Sequence, residues 1–150
     1  VLQNLTVFGH IYGVKNLSYK IEKLAQDLDI KDLLKRRVGR LSAGQKTRVS
    51  IAKSLINDPK ILFLDEPTAS LDPDHADWIR TYLEHYKNNS GATFIIASHN
   101  MPEVERMCNN VIMMGRGKVI DQGTPSDLIK RYKRNNLEQV FLQLARNDRV

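Results

Sequence analysis

Hydrophobic and polar positions follow two different periods along this chain, and the change from one to the other divides it. Ile21, Leu24, Ala25 and Leu28 recur at i, i+3, i+4 and i+7, the stripe of an amphipathic helix. A basic stretch containing Gly39 follows, and then a second helix is predicted from Ala43 to Asn57. Its Val49, Ile51, Ala52, Leu55 and Ile56 fall within one arc at about 100° per residue. Arg48 is the one charge that points into that arc, so it needs a carboxylate or carbonyl partner.

Beyond Pro59 the texture changes. "KILFLDEP" is a short apolar run stopped by acids, the pattern of a strand buried on both faces of a parallel sheet, and "ATFIIASH" (92–99) repeats it. Between them 74–89 is helix-like, and Ser90-Gly91 turns the chain back. Strand, helix, strand predicts a right-handed βαβ unit. Asn100 with Glu103 reads as a capping pair for a short helix over 101–108. "VIMMGRGKVIDQG" reads as a hairpin turning at Gly115-Arg116-Gly117, and Thr124-Pro125 as the start of another helix. Leu137, Val140, Phe141 and Leu144 form a last helical stripe. The class is α/β with a helical portion in front.

Bulk properties narrow the picture only a little. A chain of 150 residues can bury one substantial core. Its longest apolar runs, such as Ile61–Leu64, are four residues, against roughly 20 needed to span a bilayer. No charged-then-apolar leader opens it; the start "VLQNLTV", without methionine, reads as a fragment boundary. Cys108 is the single cysteine, which excludes an internal disulfide and fits a reducing compartment. The net charge of +6 favours anionic partners: nucleotide, nucleic acid or an anionic lipid surface. The clusters Lys35-Arg36-Arg37 and Lys130-Arg131-Lys133-Arg134 lie on helix-like segments and read as solvated faces.

Candidate chemistry sits at the strand ends, because ligands of doubly wound sheets lie outside the carboxyl ends of the strands. Asp65 and Glu66 end one apolar strand and His99 ends the other. An acid at a strand end can hold Mg²⁺, a hard cation that uses one or two carboxylates plus phosphate oxygens. A neighbouring carboxylate can orient and deprotonate a water, and a histidine can donate to a phosphoryl oxygen. A lone Asp-Glu pair would read as a strand cap; four apolar residues before it and Pro67 after it favour the functional reading. His10, His75 and His85 have no such setting and are assigned no role. "LSAGQ" (41–45) is the second element: a helix start with small residues exposes unpaired backbone N–H groups and the positive end of the helix dipole, a ready anion site. Yet no GxxxxGK[ST] phosphate loop is present. Gly39 and Gly44 have the spacing, but Gln45 stands where the lysine belongs.

Taken together these segments resemble the C-terminal part of the ATP-binding subunit of ABC transporters. Leu41-Ser42-Ala43-Gly44-Gln45 is similar to the family's LSGGQ signature, with Ala43 replacing one glycine. Ile61–Glu66 resembles the Walker B strand with its catalytic glutamate, Ser70-Leu71-Asp72 the D-loop, and His99 the histidine of the H-loop. The resemblance spans essentially the whole chain. It implies a P-loop NTPase-like three-layer sandwich, here a partial parallel-sheet core with part of the family's α-helical subdomain. The expected divisions are 1–58 (helical, with the signature), 59–131 (the C-terminal part of the α/β core) and 132–150 (a helical tail).

The resemblance also implies the chemistry. ATP and Mg²⁺ are the expected ligands, and two subunits close head to tail with each ATP between one P-loop and the partner's signature helix. Ser42, Ala43, Gly44 and Gln45 would face the partner's nucleotide. Asp65 would serve Mg²⁺, Glu66 would act as general base and His99 would bind the γ-phosphate. Ser70 and Asp72 would join the two halves. The P-loop is expected upstream of Val1, so the 150 residues alone are expected to be inactive. "LTVFGHIYGV" and "LEQVFLQLAR" resemble segments of ABC-2-type exporter ATPases. The implied protein is an ATPase peripheral to the cytoplasmic face of the membrane, with a transmembrane permease and a second copy of itself as partners. The alternative is a soluble ABC ATPase acting on ribosomes or nucleic acid, disfavoured because neither a second cassette nor coiled-coil heptads are visible. A non-catalytic interaction module is a third class. A sheet without its P-loop strand is expected to expose an apolar edge and invite self-association.

Overall fold

The computed structural model describes residues 1–147. Along the chain lie α1 (Leu2–Ile11), α2 (Leu17–Asp27), 3₁₀ turns at Lys31–Leu33 and Val38–Arg40, α3 (Ala43–Ser54), β1 (Ile61–Asp65), α4 (Pro73–Ser90) and β2 (Thr93–Ala97). They continue with α5 (Met101–Met107), β3 (Val111–Gly115), β4 (Lys118–Gly123), α6 (Pro125–Arg131) and α7 (Leu137–Asn147). Positions 148–150 of the expected tail lie outside the described residues. The chain forms two compact units, Val1–Ile95 and the residues from Ile96 onward.

In the first unit α1 packs on both α2 and α3. The 21/24/25/28 stripe is buried as its period requires, with Ala25 and Leu28 fully enclosed. All five apolar residues predicted for the inner arc of α3 and its C-terminal turn are buried too. The α3 helix ends at Ser54 rather than Asn57. Ser54 Oγ donates to the Ile51 carbonyl at 2.8 Å, Asp58 takes a left-handed φ of 48°, and Pro59 disfavours helix for the residue before it. Lys20 of α2 is ion-paired with Asp58 at this exit.

Residues 61–65 form β1, but the expectation of burial on both faces is wrong. Leu62 and Leu64 are buried, whereas Ile61 is 57% and Phe63 72% exposed. The β1 and β2 strands form a small two-stranded parallel sheet. Alternate side chains of a strand point to opposite faces, and no layer covers the second face among the described residues. The crossover between them is α4, long enough to return the chain for parallel pairing. Asp72 caps its N-terminus, Pro73 holds its first position, and Gly91 ends it at φ 67°, a left-handed conformation open to glycine. Ala76, Ile79 and Leu83 bury its inner face, while Tyr86 stacks on Phe94 of β2.

The second unit contains the β3–β4 hairpin and three helices. Arg116 and Gly117, both at positive φ, make the two-residue turn between Gly115 and Lys118. A bulge lies at Met113/Met114. Asn100 caps α5 by accepting from the Glu103 N–H, as its sequence predicted, and Thr124 caps α6. Met101, Val104, Val111, Met113, Leu128, Leu137, Val140 and Leu144 form one core, with Phe141 against it. Glu105 of α5 accepts from the Leu137 N–H at 2.8 Å and so caps the start of α7.

Candidate functional site

Ser42 and Gln45 begin α3 with a reciprocal capping box. The Gln45 N–H donates to Ser42 Oγ at 3.2 Å, and Gln45 Oε1 accepts from the Ser42 N–H at 3.1 Å. This S-x-x-Q signature was legible in the sequence, and it gives Gln45 a structural task that the motif alone did not suggest. With those two groups satisfied, the amides of Ala43 and Gly44 have no acceptor among the described residues. They lie in the first turn of α3, at the positive end of its dipole, where an anion is stabilised.

This helix start faces the segment after β1. The chain leaves Asp65 through Glu66, whose φ is 46°. A left-handed glutamate is strained, and strain of this kind gathers where a side chain must be aimed. Two turns follow, closed by Ala69 N–H to the Glu66 carbonyl and Leu71 N–H to the Thr68 carbonyl. Thr47 Oγ1 and Ser70 Oγ then share a hydrogen bond of 2.6 Å that ties α3 to the turn. A Cβ on Gly44 would lie 3.2 Å from both the Ser70 carbonyl oxygen and Leu71 Cδ2, so the glycine is what permits this close approach.

At the end of the turn, Asp72 Oδ1 accepts from the His75 N–H at 3.2 Å, and Asp72 Oδ2 lies 2.7 Å from His75 Nδ1. The His75 backbone bond is the main reason the Asp72 carboxyl is held below its ordinary range; burial opposes it as the next largest effect, and the side-chain bond and charge of His75 add smaller downward contributions. Ser42, Ala43, Gly44, Gln45, Arg48, Ser70, Leu71, Asp72 and His75 together line an open cleft of about 380 Å³. At its floor Arg48 Nη1 reaches both the carbonyl and the carboxylate of Asp29, each at 2.7 Å. These are the two kinds of partner expected from its inward position.

The cleft thus gathers six of the nine residues proposed from the sequence. Asp65 and Glu66 are in the same unit at the end of β1, but they do not line it. His99 belongs to the second unit, exposed and just ahead of α5, where Ser98 Oγ accepts from the Asn100 N–H at 3.1 Å. Thr47, Arg48 and His75 were not proposed as site residues. For His75 the available signal was its i+3 spacing from an aspartate preceding Pro73. Among the described residues no group of three or more His, Cys, Asp or Glu side chains could hold a metal. The strand-end carboxylate of Asp65 suits Mg²⁺, which takes one or two protein carboxylates and keeps its waters.

Comparison with known proteins agrees with this architecture. Residues 1–69 match the family model described as ABC transporter. The chain is 38% identical over 146 residues to ABC transporter G family member 20 of Dictyostelium discoideum, covering 96% of this chain and 20% of that protein. It is 34% identical to the Nod factor export ATP-binding protein I of Rhizobium sp. (strain N33), covering 94% and 47% respectively. It is 36% identical to the methionine import ATP-binding protein MetN of Streptococcus agalactiae serotype Ia, covering 84% and 35%. A solved structure of the ATP binding subunit of an ABC transporter superposes with a TM-score of 0.85 at 22% identity, over 95% of this chain and 61% of the other. The chain is thus similar in sequence to ABC transporter proteins, and its fold is that of the ATP binding subunit of an ABC transporter. It spans between about a fifth and a half of the length of these curated relatives.

Proposed function

We propose that this chain is the signature-bearing part of a subunit that hydrolyses ATP to drive export through a membrane permease. The observation that carries the reading is the cleft of α3, with Ser42 and the Ala43 and Gly44 amides at a helix N-terminus, in the same unit as a strand-end Asp-Glu pair that does not itself line it. In a head-to-tail pair of subunits, Ser42 and the Ala43 and Gly44 amides bind the γ-phosphate of the nucleotide held by the partner's P-loop. In its own subunit Glu66 accepts a proton from water as that water attacks the γ-phosphorus. The bond to the β-phosphate oxygen breaks, and ADP and phosphate leave. His99 donates to a γ-phosphoryl oxygen. Asp65 would hold Mg²⁺, which when bound would supply charge neutralisation on the phosphates. Such catalysis is mostly positioning and charge stabilisation.

The division into helical portion (1–58), core (59–131) and tail (132–150) belongs to the same proposal. So do the permease, the second copy, and the place at the cytoplasmic face of the membrane. No helix of the described residues is long and apolar enough to cross a membrane, which is compatible with a peripheral subunit. Export rests on the resemblance of the first and last segments to exporter ATPases; the relatives' names include both export and import.

A mixing experiment tests the arrangement. In the full-length subunit, Glu66→Gln and Ser42→Arg are each expected to abolish hydrolysis. Mixed, they restore one intact site per mixed pair, about a quarter of the wild-type rate for random pairing in a symmetric dimer. A mixture no more active than its components overturns the trans arrangement, and full activity of Glu66→Gln overturns the general-base role. The 150 residues alone, which hold no GxxxxGK[ST] segment, are expected to show no hydrolysis above a Glu66→Gln control. A second reading, an ATPase acting on ribosome or nucleic acid, draws on the +6 charge. Salt-sensitive RNA binding by the full-length subunit would favour it.

A further inference from the structure

We infer that His75 is a positioning residue for Asp72, holding that carboxylate in a fixed orientation at the mouth of the α3 cleft. The inference rests on the reading above, in which Asp72 faces a partner subunit. Two helices grip the turn that carries Asp72. From α3, Thr47 holds Ser70 by a 2.6 Å bond and Gly44 lets Leu71 pack close. From α4, His75 occupies both oxygens of Asp72, the backbone N–H on Oδ1 and ring Nδ1 on Oδ2. The first grip fixes where the turn is. Only the second fixes which way the carboxylate points.

The ring is itself supported. Trp78, one turn along α4, lies edge-on to the imidazole with centroids 6.5 Å apart and planes at 72°. His75 is only part-exposed and lines the cleft, whereas Asp72 is exposed. With Nδ1 protonated it donates to Oδ2 and its Nε2 is left as the ring's other polar group. The two bonds are also separable. Removing the imidazole leaves the backbone N–H on Oδ1, so α4 keeps its N-cap while Oδ2 loses its partner and the carboxylate is held at one oxygen instead of two. Loss of His75 is therefore a loss of orientation rather than of fold, and a small misplacement of a group in a site can cost up to about a hundredfold in rate.

The test uses the full-length subunit with Mg-ATP. His75→Ala is expected to lower kcat about tenfold with KM for ATP and Tm close to wild type. His75→Asn, which keeps an N–H donor on a short side chain, is expected to recover most of that loss. In an Asp72→Asn background, where the cap survives and the charge does not, His75→Ala is expected to have no further effect, the non-additivity of two residues acting as one. Wild-type kcat in His75→Ala, equal impairment in Ala and Asn variants, or additive losses in the double variant would overturn the inference. Should His75→Ala fail to fold, His75→Leu takes its place, keeping bulk and helix propensity without a donor. The two readings fail differently: if the inference alone is wrong, Glu66→Gln is still inactive while His75→Ala is normal. If the reading beneath it is wrong, Glu66→Gln hydrolyses ATP and the inference falls with it.

Discussion

Arg48 provides the sharpest test of how the cleft is held from below. Its side chain is 11% exposed while that of Asp29 is 65% exposed, so this is not a buried ion pair and the large penalties for orphaning a buried charge do not apply. In Arg48→Ala the Asp29 carboxylate returns to water at little cost, and its contribution is that of a surface pair, about 0.5 kcal/mol. The Asp29 carbonyl loses a donor, worth about 1 kcal/mol. The two methylenes of the enclosed stem beyond Cβ add about 1.5 kcal/mol. The expected destabilisation is therefore about 3 kcal/mol, most of it not electrostatic. Arg48→Met, which keeps the stem, is expected to lose about half as much. Asp29→Asn, which tolerates the left-handed φ of 47° at that position, is expected to lose only about 0.5 kcal/mol. Equilibrium urea unfolding of the full-length subunit, followed by circular dichroism, measures all three. The reasoning is refuted if Asp29→Asn costs as much as Arg48→Ala, which would make the ion pair dominant, or if Arg48→Met is no milder than Arg48→Ala.

Four further outcomes follow from the same geometry. Ser42→Ala removes one arm of the capping box and is expected to cost about 1 kcal/mol in thermal unfolding. Gly44→Ala gains about 0.5–1 kcal/mol of helix propensity but presses a methyl on the Ser70 carbonyl; hydrolysis is expected to fall with little change in Tm, and unchanged hydrolysis would refute the close-approach argument. Leu137→Ala opens a fully enclosed site in the second core and is expected to cost about 2–5 kcal/mol in denaturant unfolding. The Asp121 carboxyl is held below its ordinary range by the Arg131 guanidinium first, then by Tyr132 Oη and the Gln122 N–H. Because the folded state depresses this value, the stabilisation is complete above the usual aspartate value of about 3.9 and fades as pH falls through the lower folded value. Asp121→Asn is expected to flatten that acid dependence in urea midpoints taken from pH 5 to pH 2, and an unchanged slope would refute it.

Much of the fold was legible in the sequence because its causes are local. The stripe of α2, the starts of α5 and α6, the Gly91 stop and the hairpin turn each follow from residues within a few positions of one another. The signature and the strand-end acids were equally legible as ordered words. Even the need of Arg48 for a partner could be read, since an inward charge on an apolar arc must be satisfied.

Which partner it takes could not be read, because Asp29 lies 19 positions away and is brought near only by the packing of the first unit. The same holds for the Thr47–Ser70 bond across 23 positions and for the approach of Gly44 to Leu71. The α1 helix, with apolar residues on more than one face, gave no single stripe to read. The open face of β1 was misjudged because an apolar run records what each residue tolerates, not whether a layer covers it. Apart from α1, the sequence by itself determined where the helices and strands lie, to within a few residues at their ends, and which words they carry. Tertiary structure decided which of those words stand together: it set the signature helix against the Asp72 turn, and it put His75, unremarkable in the sequence, onto the carboxylate at their junction. The physical reason is range. Caps, turns and periodicity act over a few residues, whereas a cleft is made by the burial of distant apolar faces that carry its polar residues into contact.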